Sequence, residues 1–236
     1  MASLSNLLSG RIGNLIFYER NGKTCIRSRA KRVRQTKATK SSAALFGKVA
    51  TINKALRSGL DKILPESKER AIMLRLNQQL LPLLKHTELK GFSETLPEID
   101  QFQFNEATDI TARLNIPFNV DWKKKQAIQL NFSHANLFKA IKSPKGTIAI
   151  YLELAIAGCK TADATSTANY FTSVKLTAGA PGPATIELPC QLQTGCITIV
   201  VAALKYEILK NRIPSIITNK KWLPVGIISA CYGKPD

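Results

Sequence analysis

The sequence predicts an α+β chain in which a basic N-terminal β-hairpin and a two-helix segment precede an antiparallel, β-sandwich-like domain. Three observations carry this. An Asn-Gly pair lies between two β-forming runs near the N-terminus, apolar residues recur at three- and four-residue steps between Leu45 and Leu84, and past residue 100 short β-rich runs alternate with turn clusters. The boundaries fall at 1–40 for the basic hairpin and extended arm, 41–100 for the helices and 101–236 for the β domain.

The hairpin is predicted from Leu15-Ile16-Phe17-Tyr18 and Thr24-Cys25-Ile26-Arg27, joined through Arg20-Asn21-Gly22-Lys23. Tight hairpin turns often need positive φ at both central positions, and Asn-Gly meets that need. Gly10 and Gly13, in Gly10-Arg11-Ile12-Gly13-Asn14, are expected to permit tight turns leading into the hairpin, since neither dinucleotide-binding nor P-loop spacing is completed. Ser28 to Lys40 follows with six cations, no acid and only Val33 as a sizeable apolar residue, so it has nothing to bury.

Leu45, Val49, Ile52, Leu56 and Leu60 then define one helix face, with Ser41 or Ser42 as the expected N-cap and Gly59 near the end. A second helix is expected from Pro65-Glu66 through Ile72, Leu76, Leu80 and Leu84, kinked or shortened by Pro82, and paired antiparallel with the first. Seven strands are predicted beyond them: 110–119, 127–132, 147–157, 171–177, 185–188, 196–204 and 222–229. In the third, Ile148, Ile150, Leu152 and Leu154 alternate with Ala149, Tyr151 and Glu153, as in a strand buried on one face. Residues 133–142 are the one stretch there that also suits a helical turn.

Charge points to a partner. The chain carries 34 Lys and Arg against 16 Asp and Glu, a formal +18. Half of that excess lies in the first forty residues, where Arg11, Arg20, Lys23, Arg27, Arg29, Lys31, Arg32, Arg34, Lys37 and Lys40 face Glu19 alone. A dense cationic track displaces condensed counterions from phosphate without reading sequence, so the expected partner is nucleic acid bound non-specifically. Arg27, Arg29 and Lys31 share one side of an extended chain, and Phe17 or Tyr18 is placed to stack on an unpaired base. An acidic protein surface would also suit such a segment, and so would plain solvation. Lys123-Lys124-Lys125 after Trp122 reads as a solvated turn, with Trp122 at the core or its rim.

Catalytic and metal chemistry find little to work with. His86 and His134 are the only histidines, neither near a nucleophile motif, and the five cysteines are scattered without ligand spacing. Cys190 and Cys196 could oppose each other across a hairpin but need no role beyond that of small buried hydrophobes. No cofactor is expected. The N-terminus lacks the basic and apolar regions of a secretory signal, and no apolar run spans a bilayer, so the expected compartment is the cytoplasm or a particle assembled there.

Ser9-Gly10-Arg11-Ile12-Gly13-Asn14, Asn21-Gly22-Lys23, Ile26-Arg27-Ser28 and Ser41-Ser42 leading to Phe46 and Leu56-Arg57 together resemble the opening of a group of uncharacterised Bacteroidetes proteins. Those pass from a Gly-Lys-Val-Gly-Asn-like start through an Ile-Arg-Ser-like strand into helices. The chain departs from them in lacking a Pro soon after Ser28 and in its longer Arg/Lys run. The resemblance implies a basic protein with a β-rich C-terminal half and brings no activity with it. Two functions follow as expectations: a non-enzymatic, nucleic-acid-associated structural protein, or a self-assembling subunit of a phage-like particle, filament or other large complex, its arm docked on a neighbour.

Overall fold

The structure is a computed structural model that describes residues 9–20, 22–29, 35–64, 70–86, 96–97, 99–122, 127–133 and 136–233. It is α+β and divides into two compact units, Met1–Ser42 and Ala43–Asp236.

The first unit holds a three-stranded antiparallel sheet, β1 (Gly10–Ile12), β2 (Leu15–Arg20) and β3 (Lys23–Ser28), in that order. The predicted hairpin is β2–β3: Arg20 pairs with Lys23 across a two-residue turn, and Gly22 takes a φ of 73°. The extra strand comes from a second tight turn. Ile12 pairs with Leu15, and Gly13 at φ 57° supplies the positive angle that such a turn needs at its first central residue.

The second unit is built on a five-stranded antiparallel sheet. Its spine is two long neighbours, β6 (Thr147–Lys160) and β9 (Cys196–Lys210). Along the free side of β6 lies β7 (Ser166–Thr177); along that of β9 lie β11 (Val225–Tyr232) and β10 (Ile213–Ile216). A three-stranded sheet of β4 (Phe118–Asp121), β5 (Ala127–Phe132) and β8 (Thr185–Pro189) covers one face. Ile128, Leu130, Ile186 and Leu188 meet Ile150, Leu152, Leu154, Val200 and Leu204 there. Tyr206 anchors this core, its hydroxyl donating to the Lys142 carbonyl at 3.0 Å and its ring edge-on to Trp222.

The opposite face carries α1 (Lys37–Ser58) and α2 (Arg70–His86). Of the predicted face, Val49, Ile52, Leu56 and Leu60 are fully buried against Ala155, Ala157, Ile199 and Val201, and Leu45 is partly buried at the edge of the same cluster. β6 is therefore buried on both faces over most of its length, and the one-sided alternation predicted for it does not hold. Small side chains on the helix side let the helices come close: a Cβ at Gly59 would lie only 3.0 Å from that of Ala157. Gly59→Val should accordingly lower stability by about 2 kcal/mol, read as a drop in the urea midpoint at constant slope. An unchanged midpoint would mean that helix and strand separate without cost.

Several boundaries differ from expectation. α1 begins at Lys37, not after Ser41, because the Thr36 hydroxyl accepts the Thr39 amide at 3.2 Å and caps the helix earlier. α2 runs through Pro82 to His86, so Pro82 does not shorten it; its predicted start at Pro65-Glu66 lies outside the described residues. The predicted strand 110–119 opens instead as helix α3 (Ile110–Leu114), since the Asp109 carboxylate accepts the Thr111 and Ala112 amides and Asn115 closes it at φ 50°. Leu137–Ala140 forms α4, the helical turn foreseen within 133–142, and Lys220–Trp222 forms a 3-10 turn, so the last strand starts at Val225 and not at Trp222. β8 pairs with β5, not with β9, so Cys190, which follows β8, and Cys196, which opens β9, do not face each other across a hairpin.

Candidate nucleic-acid interface

The two-residue turn fixes the register of the N-terminal sheet, and register decides which side chains share a face. Arg11, Ile16 and Arg27 form one cross-strand row, Tyr18 and Cys25 a second, Arg20 and Lys23 a third, all on one side. Ile12, Leu15 and Ser28, then Phe17 and Ile26, then Glu19 and Thr24 occupy the other. Glu19, the one acid in the first forty residues, thus points away from all four cations.

This basic face is exposed at Arg11, Arg20, Lys23 and Arg27. The Arg27 guanidinium lies 5.6 Å from the centre of the Tyr18 ring, a cation–aromatic contact that holds both in place. Arg20 and Lys23 are direct cross-strand neighbours of like charge, an arrangement that costs the sheet some stability. Of the two aromatic residues expected to stack on bases, only Tyr18 belongs to the basic face; Phe17 belongs to the apolar one.

Of the other predicted contact residues, Arg29 follows β3, exposed, its amide bonded to the Asn14 carbonyl at 2.7 Å. Lys37 and Lys40 are not on an extended arm: they are exposed in the first turns of α1, which carries no acid there. Cations at the positive end of a helix dipole are unfavourable unless an anion joins them. Lys31, Arg32 and Arg34 lie outside the described residues, as do Lys123, Lys124, Lys125 and His134. Trp122 is half-buried, its indole donating to Ser229 Oγ at 3.0 Å, which places it at the rim of the core as expected.

Elsewhere, an open depression of about 500 Å³ is lined by Arg75, Gln78, Gln79, Gln103, Glu106 and Asp109. Its charges are engaged with one another: Arg75 Nε meets Glu106 at 3.0 Å and its Nη1 donates to the Gln103 carbonyl. Burial alone would raise the Asp109 carboxyl, but the Thr111 hydroxyl and two helix amides hold it below the usual carboxylate range. Among the described residues no three His, Cys, Asp or Glu side chains gather as a metal site requires, and no described helix is long and apolar enough to cross a membrane. Compared with protein-family models, curated proteins and solved structures, the chain matches none of them.

Proposed function

We propose that this chain is a non-enzymatic, nucleic-acid-associated structural protein that grips the phosphate backbone through the basic face of its N-terminal sheet, in the cytoplasm or a particle assembled there. The observation that carries this is the sorting of charge: four cations and an aromatic ring on one face, the sole acid on the other. A solvated, solubilising segment has no reason to segregate its charges in this way. The like-charge pair Arg20–Lys23 and the lysines opening α1 are tensions that a polyanion relieves. Binding is expected to be insensitive to sequence, because nothing on this face offers the paired donors and acceptors that discriminate bases.

A second reading draws on the other side of the same sheet. Ile12 and Ile26 are 64% and 59% exposed there. A self-assembling subunit that docks this face on a neighbour would cover them.

Cys25 provides a direct test, since it lies on the basic face with partial exposure while the other four thiols are buried. Alkylation of Cys25 by neutral iodoacetamide should slow at least about tenfold when a mixed-sequence oligonucleotide is added at low salt, and recover as salt rises. Replacing Arg11, Arg20, Lys23 and Arg27 with Gln should flatten the log–log salt dependence of binding by about 3 units on a single strand. An unchanged slope, or a Cys25 rate indifferent to nucleic acid, would sink the proposal; protection by a polyglutamate chain alone would favour an acidic protein partner.

A further inference from the structure

A sheet edge is a row of unpaired amides and carbonyls that invites another strand, and folded proteins usually blunt or cover it. The five-stranded sheet treats its two sides differently. On the β11 side Leu96 and residues 99–104 lie along the edge: Leu96, Gln101 and Phe104 amides donate to the Ala230, Ile227 and Val225 carbonyls, and the Ile227 amide donates to the Phe102 carbonyl. β10, on the same side, is four residues long and contains Pro214.

β7 is not covered in this way, and its one irregularity is a register shift at Thr167, near its start. It is 12 residues long, without Pro or Gly, and rich in β-formers from Tyr170 to Val174. Its partner is β6; α4 and β8 pack beside it, but neither exchanges a backbone hydrogen bond with it among the described residues. Its one charge, Lys175, is neutralised by Glu207 at 3.1 Å. In a chain of net charge +18 that matters, because like-charged molecules approach most easily where cations are few; the other described cation beside the strand, Lys62, lies over the Phe171 ring at 5.9 Å.

We propose that β7 is a homodimerisation edge, pairing antiparallel with β7 of a second copy so that the two five-stranded sheets become one of ten strands. What covers a strand edge is a strand, and length selects which one. β4, β8 and β10 are four, five and four residues long, β1 is three, and β3 is six with Lys23 and Arg27 on it. Each would leave half or more of β7 unpaired. Another β7 matches it end to end, and a two-fold axis between antiparallel strands is self-complementary. Pairing also closes the half-buried flanks at Tyr170, Phe171, Thr172 and Val174 against their symmetry mates. This interface is independent of what the N-terminal sheet binds.

The test uses nuclease-treated full-length protein, so that nucleic acid cannot tether two copies. Sedimentation should show twice 25.9 kDa at about 100 µM chain, and amides of residues 166–177 should exchange more slowly at that concentration than when dilute. Asn169→Lys with Ser173→Lys, at two exposed positions, places four lysines across the two-fold axis. That variant should keep its thermal midpoint and dimerise about a hundredfold more weakly. A wild-type chain at 25.9 kDa throughout, a dimer whose β7 amides ignore concentration, or a lysine variant that dimerises as well would each overturn the proposal. If the variant misfolds, exchange on the wild type decides alone.

Discussion

Asn53→Leu should destabilise the protein by about 3 kcal/mol, whereas Asn77→Leu should be nearly neutral and should rescue most of that loss when the two are combined. Both side chains are buried where α1 meets α2. Asn53 Nδ2 donates to the Met73 carbonyl at 2.9 Å and to Asn77 Oδ1 at 2.7 Å, while Arg57 Nε donates to Asn53 Oδ1 at 2.7 Å. Every polar atom of the Asn53 side chain is therefore used. Asn77 Nδ2 is buried with no partner among the described residues. Removing Asn53 orphans the rest of the Asn77 amide and takes the acceptor from a guanidinium. Removing Asn77 deletes a donor already unsatisfied, and Asn53 keeps Met73 and Arg57. Equilibrium urea unfolding of the four species gives the coupling directly; equal losses from the two single changes, or additivity in the double, would show that the network does not act as described.

That network also marks where the sequence stops being legible. Position 53 is four residues from Val49 and three from Leu56, inside the arc that the periodicity assigns to the core, yet Asn reads as surface unless its partner is known. The hairpin was legible because turn chemistry is local: Asn21-Gly22 calls for a two-residue loop, and Gly22 adopts the expected positive φ. Helix α3 was missed because Ile110 and Thr111 favour strands, although Asp109 carried the start signal and Asn115 the stop signal of a short helix. The two-sided burial of β6 was hidden by Ala155 and Ala157, too small to register as a hydrophobic face. At the candidate interface the residue types were legible and their sorting was not. Separating Tyr18 from Phe17, and Glu19 from the cations, requires the cross-strand register. The open edge of β7 depends on strand order, which pairs β6 with a strand some fifty residues away and leaves no local trace.

Alkaline pH should destabilise the protein through its buried thiols. Burial pushes the Cys159 thiol up to about 11, with the nearby Cys196 and Asp163 adding to the effect, and burial pushes Cys190 to about 11 as well. Cys196 and Tyr206 are raised in the same direction, chiefly by burial. Each is an acid that the fold holds neutral, so the unfolded chain gives up its proton first as pH rises. Stability is fully present below the ordinary thiol range near 9.0 and is lost progressively until the folded thiols also ionise near 11. At about 1.4 kcal/mol per unit of pKa, Cys159 and Cys190 each cost up to about 3 kcal/mol across that window. Urea midpoints in reductant at pH 8, 9.5 and 11 should fall steadily for the wild type, and Cys159→Ala with Cys190→Ala should flatten the fall by more than half. Tyr206→Phe separates the phenol's share, since it removes the titration while leaving the ring in the core. A variant lacking both thiols whose midpoints drop as steeply as those of the wild type would place the alkaline weakness elsewhere, with Lys175, paired to Glu207, next in line for testing.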